Sequence, residues 1–291
     1  MADTYKGVVI APVVPHCADN RVDKTGLREV LDFHLQAGVH GFFPCGSTGG
    51  GPAMTTEERL AVAECVIDHV AGRVPVIVHV GAVDLDQALT CARHAARAGA
   101  TAVGAVPPYY YGFTLSVYLR YFRAIAEVGL PVFIYHNPVA MGTVLALKDF
   151  EQLAGIPGIA GIKETSGNYQ LIIDLLTFLP SLPVFVGNST LVLPSLIMGA
   201  RGSISAVANV VPEFFVGLFR AVQSGDWLTA RRLQEQINRL RPLLKEPKIT
   251  ALHTGLRLRG IRAGYPRSIF PPALPEDVAA LRQALVEARL L

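Results

Sequence analysis

The chain has 291 residues, 51% of them apolar and 17% charged, and a formal net charge of +3. This composition allows a large buried core and excludes a disordered chain. With no block of like charges, it also disfavours a basic stripe for nucleic acid or an anionic membrane.

Eight short, nearly continuous apolar runs follow in chain order, at 7–14, 40–45, 74–80, 101–108, 130–136, 158–164, 182–187 and 201–207. Runs of this kind suit parallel strands buried on both faces. Amphipathic stretches lie between them. "TTEERLAVAECVIDHVAG" has Thr55 or Thr56 placed to cap a helix, early glutamates, and Gly72 at its end. "DLDQALTCARHAARAGA" starts on Asp84 or Asp86 and ends at Gly99. Eight strand–helix repeats over roughly 220 residues predict a closed (β/α)8 TIM barrel. An open doubly wound sheet fits less well, because "VVIAPVVPHCADN" carries no GxGxxG turn. From Val211 the strand signal stops. A last barrel helix, a break at Gly225-Asp226, a further amphipathic helix and a closing one over "PEDVAALRQALVEARLL" are expected. The predicted organisation is a barrel over 1–222 and a C-terminal helical lobe, 223–291, packed on it.

Cys17, Cys45, Cys65 and Cys91 form no CxxC pair, which reads as reduced thiols of a cytoplasmic protein. "MADTYKG" lacks the regions of a signal peptide, and glycine, proline or charge interrupts each apolar run before it reaches spanning length.

Reactive groups of such barrels gather at the C-terminal ends of the strands. Of six lysines, Lys6, Lys24, Lys148, Lys245 and Lys248 stand in polar or terminal contexts, and only Lys163 follows an apolar strand. A neutral amine there is a nucleophile toward carbonyls. Taken alone, Lys163 reads equally well as a rim lysine snorkelling to water. Tyr135, ending the fifth run in "FIYHNP", could move protons or simply pack. The loop "GSTGGG" brings backbone amides and the hydroxyls of Ser47 and Thr48, a lining suited to a carboxylate. It lacks the lysine of a phosphate-binding P-loop. His79 and His136 show no metal-ligand spacing, and structural roles are expected for both.

Taken together, these pieces resemble the dihydrodipicolinate synthase / N-acetylneuraminate lyase family of class I aldolases. The resemblance rests on Gly46-Ser47-Thr48-Gly49, "PPYYY" at 107–111, Tyr135 to Pro138 as Y-x-x-P, "GIKETSG" at 161–167 and "GSISAVANV" at 202–210. It implies that Lys163 forms a Schiff base with a 2-oxo acid. Tyr135 would shuttle a proton, linked through Ser47 to Tyr110 reaching across a dimer interface. Ser47 and Thr48 would hold the pyruvate carboxylate, and the Ile204 carbonyl would face the site. It further implies a homotetramer, as a dimer of dimers, and no metal or organic cofactor.

Several positions depart from the two best-known activities of the family. Gly50 stands where the family loop usually continues to glutamate. Ala140 stands where dihydrodipicolinate synthases carry a carboxylate-binding arginine. Ser189 and Thr190 replace the Asp-Glu pair with which sialic acid lyases hold a polyol. The expected pocket, bordered by Thr143, Thr165, Asn188, Ser189 and Ala206, is mildly polar, without a cation for a second acid group. That lining predicts an unphosphorylated 2-keto-3-deoxy sugar acid, or a similar 4-hydroxy-2-oxo acid, cleaved to pyruvate and an aldehyde. A dehydratase or hydratase-aldolase on the same imine chemistry is the alternative reading, followed by N-acetylneuraminate lyase or dihydrodipicolinate synthase, and last by a non-catalytic barrel serving as a binding protein.

Overall fold

Each of the eight apolar runs contains a strand shorter than the run itself. The strands are β1 (Gly7–Ile10), β2 (Gly41–Phe42), β3 (Ile77–His79), β4 (Ala102–Ala105), β5 (Val132–His136), β6 (Ile159–Glu164), β7 (Val184–Val186) and β8 (Gly202–Ser203). The computed structural model describes residues 4–244 and 248–291. Met1–Asp3 of the signal-peptide reading, and Lys245, lie outside the described residues. All ladders are parallel, in the order β2-β1-β8-β7-β6-β5-β4-β3, and a parallel bridge from Phe42 to Val76 joins the two ends. The barrel is therefore closed, as the repeat count predicts.

The apolar pattern outruns the strands because the chain stays buried after it leaves the ladder. Beyond β1, Ala11 to Val14 are all buried. There the Asn209 side chain replaces strand pairing, accepting from the Val13 amide at 3.0 Å and donating to the Ala11 carbonyl at 2.8 Å. A buried backbone needs such partners.

The helices are α1 (Lys24–Gln36), α2 (Thr56–Val70), α3 (Leu85–Ala98), α4 (Leu115–Ala126), α5 (Pro138–Met141), α6 (Leu147–Ala154), α7 (Tyr169–Phe178), α8 (Val192–Ile197), α9 (Pro212–Ser224), α10 (Trp227–Leu240), α11 (Lys248–Leu258) and α12 (Pro275–Glu287). Thr55 and Glu58 form a reciprocal capping box on α2, and Asp84 caps α3, which ends on left-handed Gly99. Gly225 ends α9 and Asp226 caps α10, as expected. Helix α11 was not signalled by the sequence. Leu240 of α10, Leu252 and Leu256 of α11, and Leu281 and Leu285 of α12 join the same continuous core as the barrel strands. All four cysteines are free thiols, and no helix among the described residues is long and apolar enough to cross a membrane.

Inside the barrel, aromatic rings fill space that glycines leave. A methyl group on Gly161 would sit 2.2 Å from the Phe133 ring, and one on Gly104 would sit 2.6 Å from the Phe43 ring. Those rings are fully buried and cannot retreat. Gly161→Ala is therefore expected to lose about 1–3 kcal/mol or more in chemical denaturation. Shortening the facing ring with Phe133→Leu should recover part of the loss, which a double-mutant cycle reads.

Two buried histidines set an acid limit. His34 donates from Nε2 to the Asn209 carbonyl at 3.0 Å, and His253 from Nδ1 to the Ala263 carbonyl at 2.6 Å. The second ring nitrogen of each is buried without a partner among the described residues. Burial pushes both from 6.5 down to about 4. Below the ordinary histidine range the unfolded chain takes up protons that the folded one refuses. The stability these groups contribute is full above about pH 6.5 and is lost as pH falls toward 4. His34→Gln should flatten the urea-stability profile across that window.

Candidate active site

The phase of one strand places the central pair. Val132 pairs with Ile159 but Phe133 pairs with Gly161, so β6 carries one extra residue, Ala160, opposite β5. Beyond this bulge Tyr135 is the register partner of Lys163, and His136 of Glu164. Successive residues of a strand face opposite sides. Tyr135 and Lys163 point into the barrel mouth, 5% and 3% exposed, so the rim reading of Lys163 does not hold. The Lys163 amine lies 3.7 Å from the Tyr135 ring centroid and 4.4 Å from that of Phe43.

His136 and Glu164 occupy the outer face of the same two strands, and both are fully buried. The Leu145 amide donates to His136 Nε2 at 3.1 Å, so the proton is on Nδ1, which donates to Glu164 at 2.5 Å. The other Glu164 oxygen accepts from the Ser166 amide, also at 2.5 Å. This clamp ties the segments following β5 and β6 to the strands that carry Tyr135 and Lys163. The Thr165 hydroxyl adds a 2.6 Å bond to the His136 carbonyl.

His79 is structural, as expected. Val106 donates to its Nε2 at 3.2 Å, and its Nδ1 donates to the Cys45 carbonyl at 3.1 Å. Burial, then the Arg59 and Lys163 charges, hold it well below the usual histidine range, so it stays neutral beneath Tyr135.

The loop after β2 is folded too tightly for side chains at its turn. A methyl on Gly51 would sit 1.8 Å from the Cys45 carbonyl oxygen. Gly50 has φ of +71° and Cys45 φ of +63°, a strained value for a non-glycine. Glycine at 50 thus matches a left-handed position where glutamate would add strain. Gly50 and Gly51 donate back to Ser47 and Gly46, whereas the amides of Ser47 and Thr48 donate to no other backbone group among the described residues.

A cleft of about 580 Å³ opens over these groups. Its size lies in the range of small-molecule sites. It is lined by Lys163, Tyr135, Thr48, Thr165, Asn188, Ser189, Ile204 and Ala206, all expected from the sequence. Asn137, Ser166 and Arg241 also line it and were not foreseen. The expected absence of a cation is corrected by Arg241, which arrives from the C-terminal helices. The "YHNP" turn could have signalled Asn137, since asparagine before proline caps a short helix, here α5. Ser47, Ala140, Thr143 and Tyr110 do not line the cleft of this chain. The Tyr135 hydroxyl receives a 3.3 Å bond from Asn137 rather than a contact with Ser47. Tyr110 is 84% exposed, has φ of +83°, and packs edge-on against Tyr111.

A closed (β/α)8 barrel with a buried lysine beside a tyrosine at its C-terminal mouth has the make-up of an aldolase-type barrel enzyme. Residues 4–288 match the Dihydrodipicolinate synthetase family. An uncharacterized DapA-like lyase of Halobacterium salinarum is 37% identical, across 98% of this chain and 94% of that protein. A 4-hydroxy-tetrahydrodipicolinate synthase of Methanosphaerula palustris is 35% identical, across 97% and 98%. Among solved structures, a prophage protein of the dihydrodipicolinic acid synthase family from E. coli, in complex with pyruvate, superposes with a TM-score of 0.92. It is 28% identical, with 99% of each chain covered. The chain belongs to the Dihydrodipicolinate synthetase family.

Removing the Glu164 carboxylate would leave the His136 Nδ1–H buried without an acceptor and the half-buried Ser166 amide without its partner. Glu164→Ala is expected to lose about 1.5–3 kcal/mol of stability. Glu164→Gln, which keeps one acceptor, should lose less in the same denaturation experiment.

Proposed function

We propose that this chain is a class I aldolase that cleaves a 2-keto-3-deoxy sugar acid, or a similar 4-hydroxy-2-oxo acid, to pyruvate and an aldehyde. The observation that carries this reading is the buried Lys163 amine, in register with Tyr135 and sharing a cleft with Thr48. The family relative solved in complex with pyruvate supports a 2-oxo acid as the ligand.

The Lys163 amine adds to the C2 carbonyl and water leaves, giving an imine that is protonated as it forms. The C3–C4 bond then breaks, and its electron pair flows into the iminium to give an enamine. The Tyr135 hydroxyl, having given its proton to the departing water as the imine formed, takes the proton of the 4-hydroxyl, and the aldehyde departs. Protonation of the enamine at C3 and hydrolysis of the imine release pyruvate and return the amine. The cycle needs the amine neutral at the moment it adds to the carbonyl. Thr48, which lines the cleft and whose amide has no backbone partner among the described residues, is suited to the pyruvate carboxylate.

The substrate reading rests on what the wall lacks. Ala140 is exposed on α5 and brings no charge, so the semialdehyde of a dihydrodipicolinate synthase loses its carboxylate partner on that side. Ser189 bonds Ser205 at 2.9 Å, and Thr190 bonds Asn188 at 2.8 Å, so neither offers the strong acceptors a sialic acid polyol takes. A homotetramer accompanies this reading, with Tyr110 contributed to a neighbouring site. The paired exposed rings of Tyr110 and Tyr111 support an interface at that loop.

Reduction with borohydride in the presence of pyruvate should add one reduced pyruvyl group, mapped by mass spectrometry to Lys163. Label elsewhere, or none, would sink the mechanism. Lys163→Ala should abolish both label and cleavage. Tyr135→Phe should retain the label while kcat falls about 10²- to 10⁴-fold.

A further inference from the structure

Among the described residues, the cleft lining carries two charged side chains, Lys163 and Arg241, and no carboxylate. In the function proposed above, the first is committed to the imine and Thr48 to the acid group beside it. Arg241 has no assignment. It stands where α10 passes into the 3₁₀ turn Arg241–Leu244, seven residues after Gln234. Seven residues are two helical turns, so both side chains share one face.

That face is fixed against the site. Gln234 donates to the Ser189 carbonyl at 2.9 Å and accepts from the Leu193 amide at 2.9 Å. Ser189 itself lines the cleft. The Nε of Arg241 is buried and has no hydrogen-bond partner among the described residues. A guanidinium presents a planar fork that matches a carboxylate or phosphate, and its charge makes those bonds about twice as strong as neutral ones. An uncharged sugar tail would leave that advantage unused. We infer that Arg241 recognises an acid group at the far end of the substrate, so that the cleft takes 2-oxo acids bearing a second anion, carboxylate or phosphate, remote from the reacting carbonyl. This inference rests on Lys163 forming the imine. It differs from the arginine position vacated at Ala140, because the cation enters from the C-terminal helices rather than from the loop after β5.

Reductive trapping at Lys163 tests the inference without requiring turnover. Straight-chain 2-oxo acids of equal length, ending in methyl, carboxylate or phosphate, would be titrated with borohydride against the full chain. Half-saturation should come at about 10- to 100-fold lower concentration for an anionic end than for methyl. Whichever of carboxylate and phosphate gains more identifies the acid. Arg241→Gln should erase that gain while leaving trapping of pyruvate and of the methyl-ended acid within about threefold. Arg241→Lys should keep part of it. Equal half-saturation for all three ends, or a gain that survives in Arg241→Gln, overturns this inference and leaves the imine reading standing. A chain that traps none of these acids, pyruvate included, overturns both.

Discussion

Ala160, the extra residue in β6, decides which side chains meet at the barrel mouth. Without it Phe133 would pair with Ala160, Tyr135 with Ile162 and His136 with Lys163, which puts the lysine out of phase with the tyrosine. With it, the amine and the phenol share the inner face, and the next residues, Glu164 and His136, meet on the outer one. The bulge is tolerated because its neighbour is Gly161, whose missing side chain leaves room for the Phe133 ring. The lysine–tyrosine pair inside, the hydrogen-bonded clamp outside and the aromatic packing below all follow from one register.

The clamp gives that register its reach into the loops. A carboxylate buried without partners is costly, so the Glu164 position is tenable only while His136 and the Ser166 amide donate to it. The same bonds fix where the chain leaves β6, and hence where Thr165 and Ser166 stand in the cleft wall. Through His136 Nε2 they also hold Leu145, at the far end of the segment that carries Asn137 and Val139. Geometry at the lysine and geometry of the wall are therefore coupled, and neither can shift by a residue alone.

Much of this was legible in the sequence because burial on both faces leaves a plain mark. Eight apolar runs located eight strands, and a lysine and a tyrosine ending two of them stood out against that background. Strand lengths were not legible, since "APVV" after β1 is as apolar as the strand but is paired by a side chain 196 residues or more away. The phase of Lys163 was equally hidden, because a bulge of one alanine has no compositional signal. Glu164 went unremarked beside the lysine, although a charge in an apolar strand, one step out of phase, pointed to a partner on the other face. Arg241 could not be placed at all. Arginine on an amphipathic helix reads as solvated surface until the contacts of Gln234 show which way that face is turned.

Chemistry and selection come from different layers of this molecule, and that separation explains why family membership constrains one more than the other. The bonds that position Lys163 and Tyr135 are ladder bonds and core contacts, shared by any chain that closes this barrel with the same bulge. The wall is built from loop ends and from a helix outside the strand–helix repeat, where one residue can change without disturbing the ladder. A cation in that wall acts on a substrate mainly by what it leaves unsatisfied when the wrong one is bound, since a buried guanidinium nitrogen without an acceptor keeps its desolvation cost. Arg241 needs no movement of the barrel to exert that effect. It needs only α10 to stay seated on the Ser189 turn, which the buried Gln234 amide secures from both its oxygen and its nitrogen.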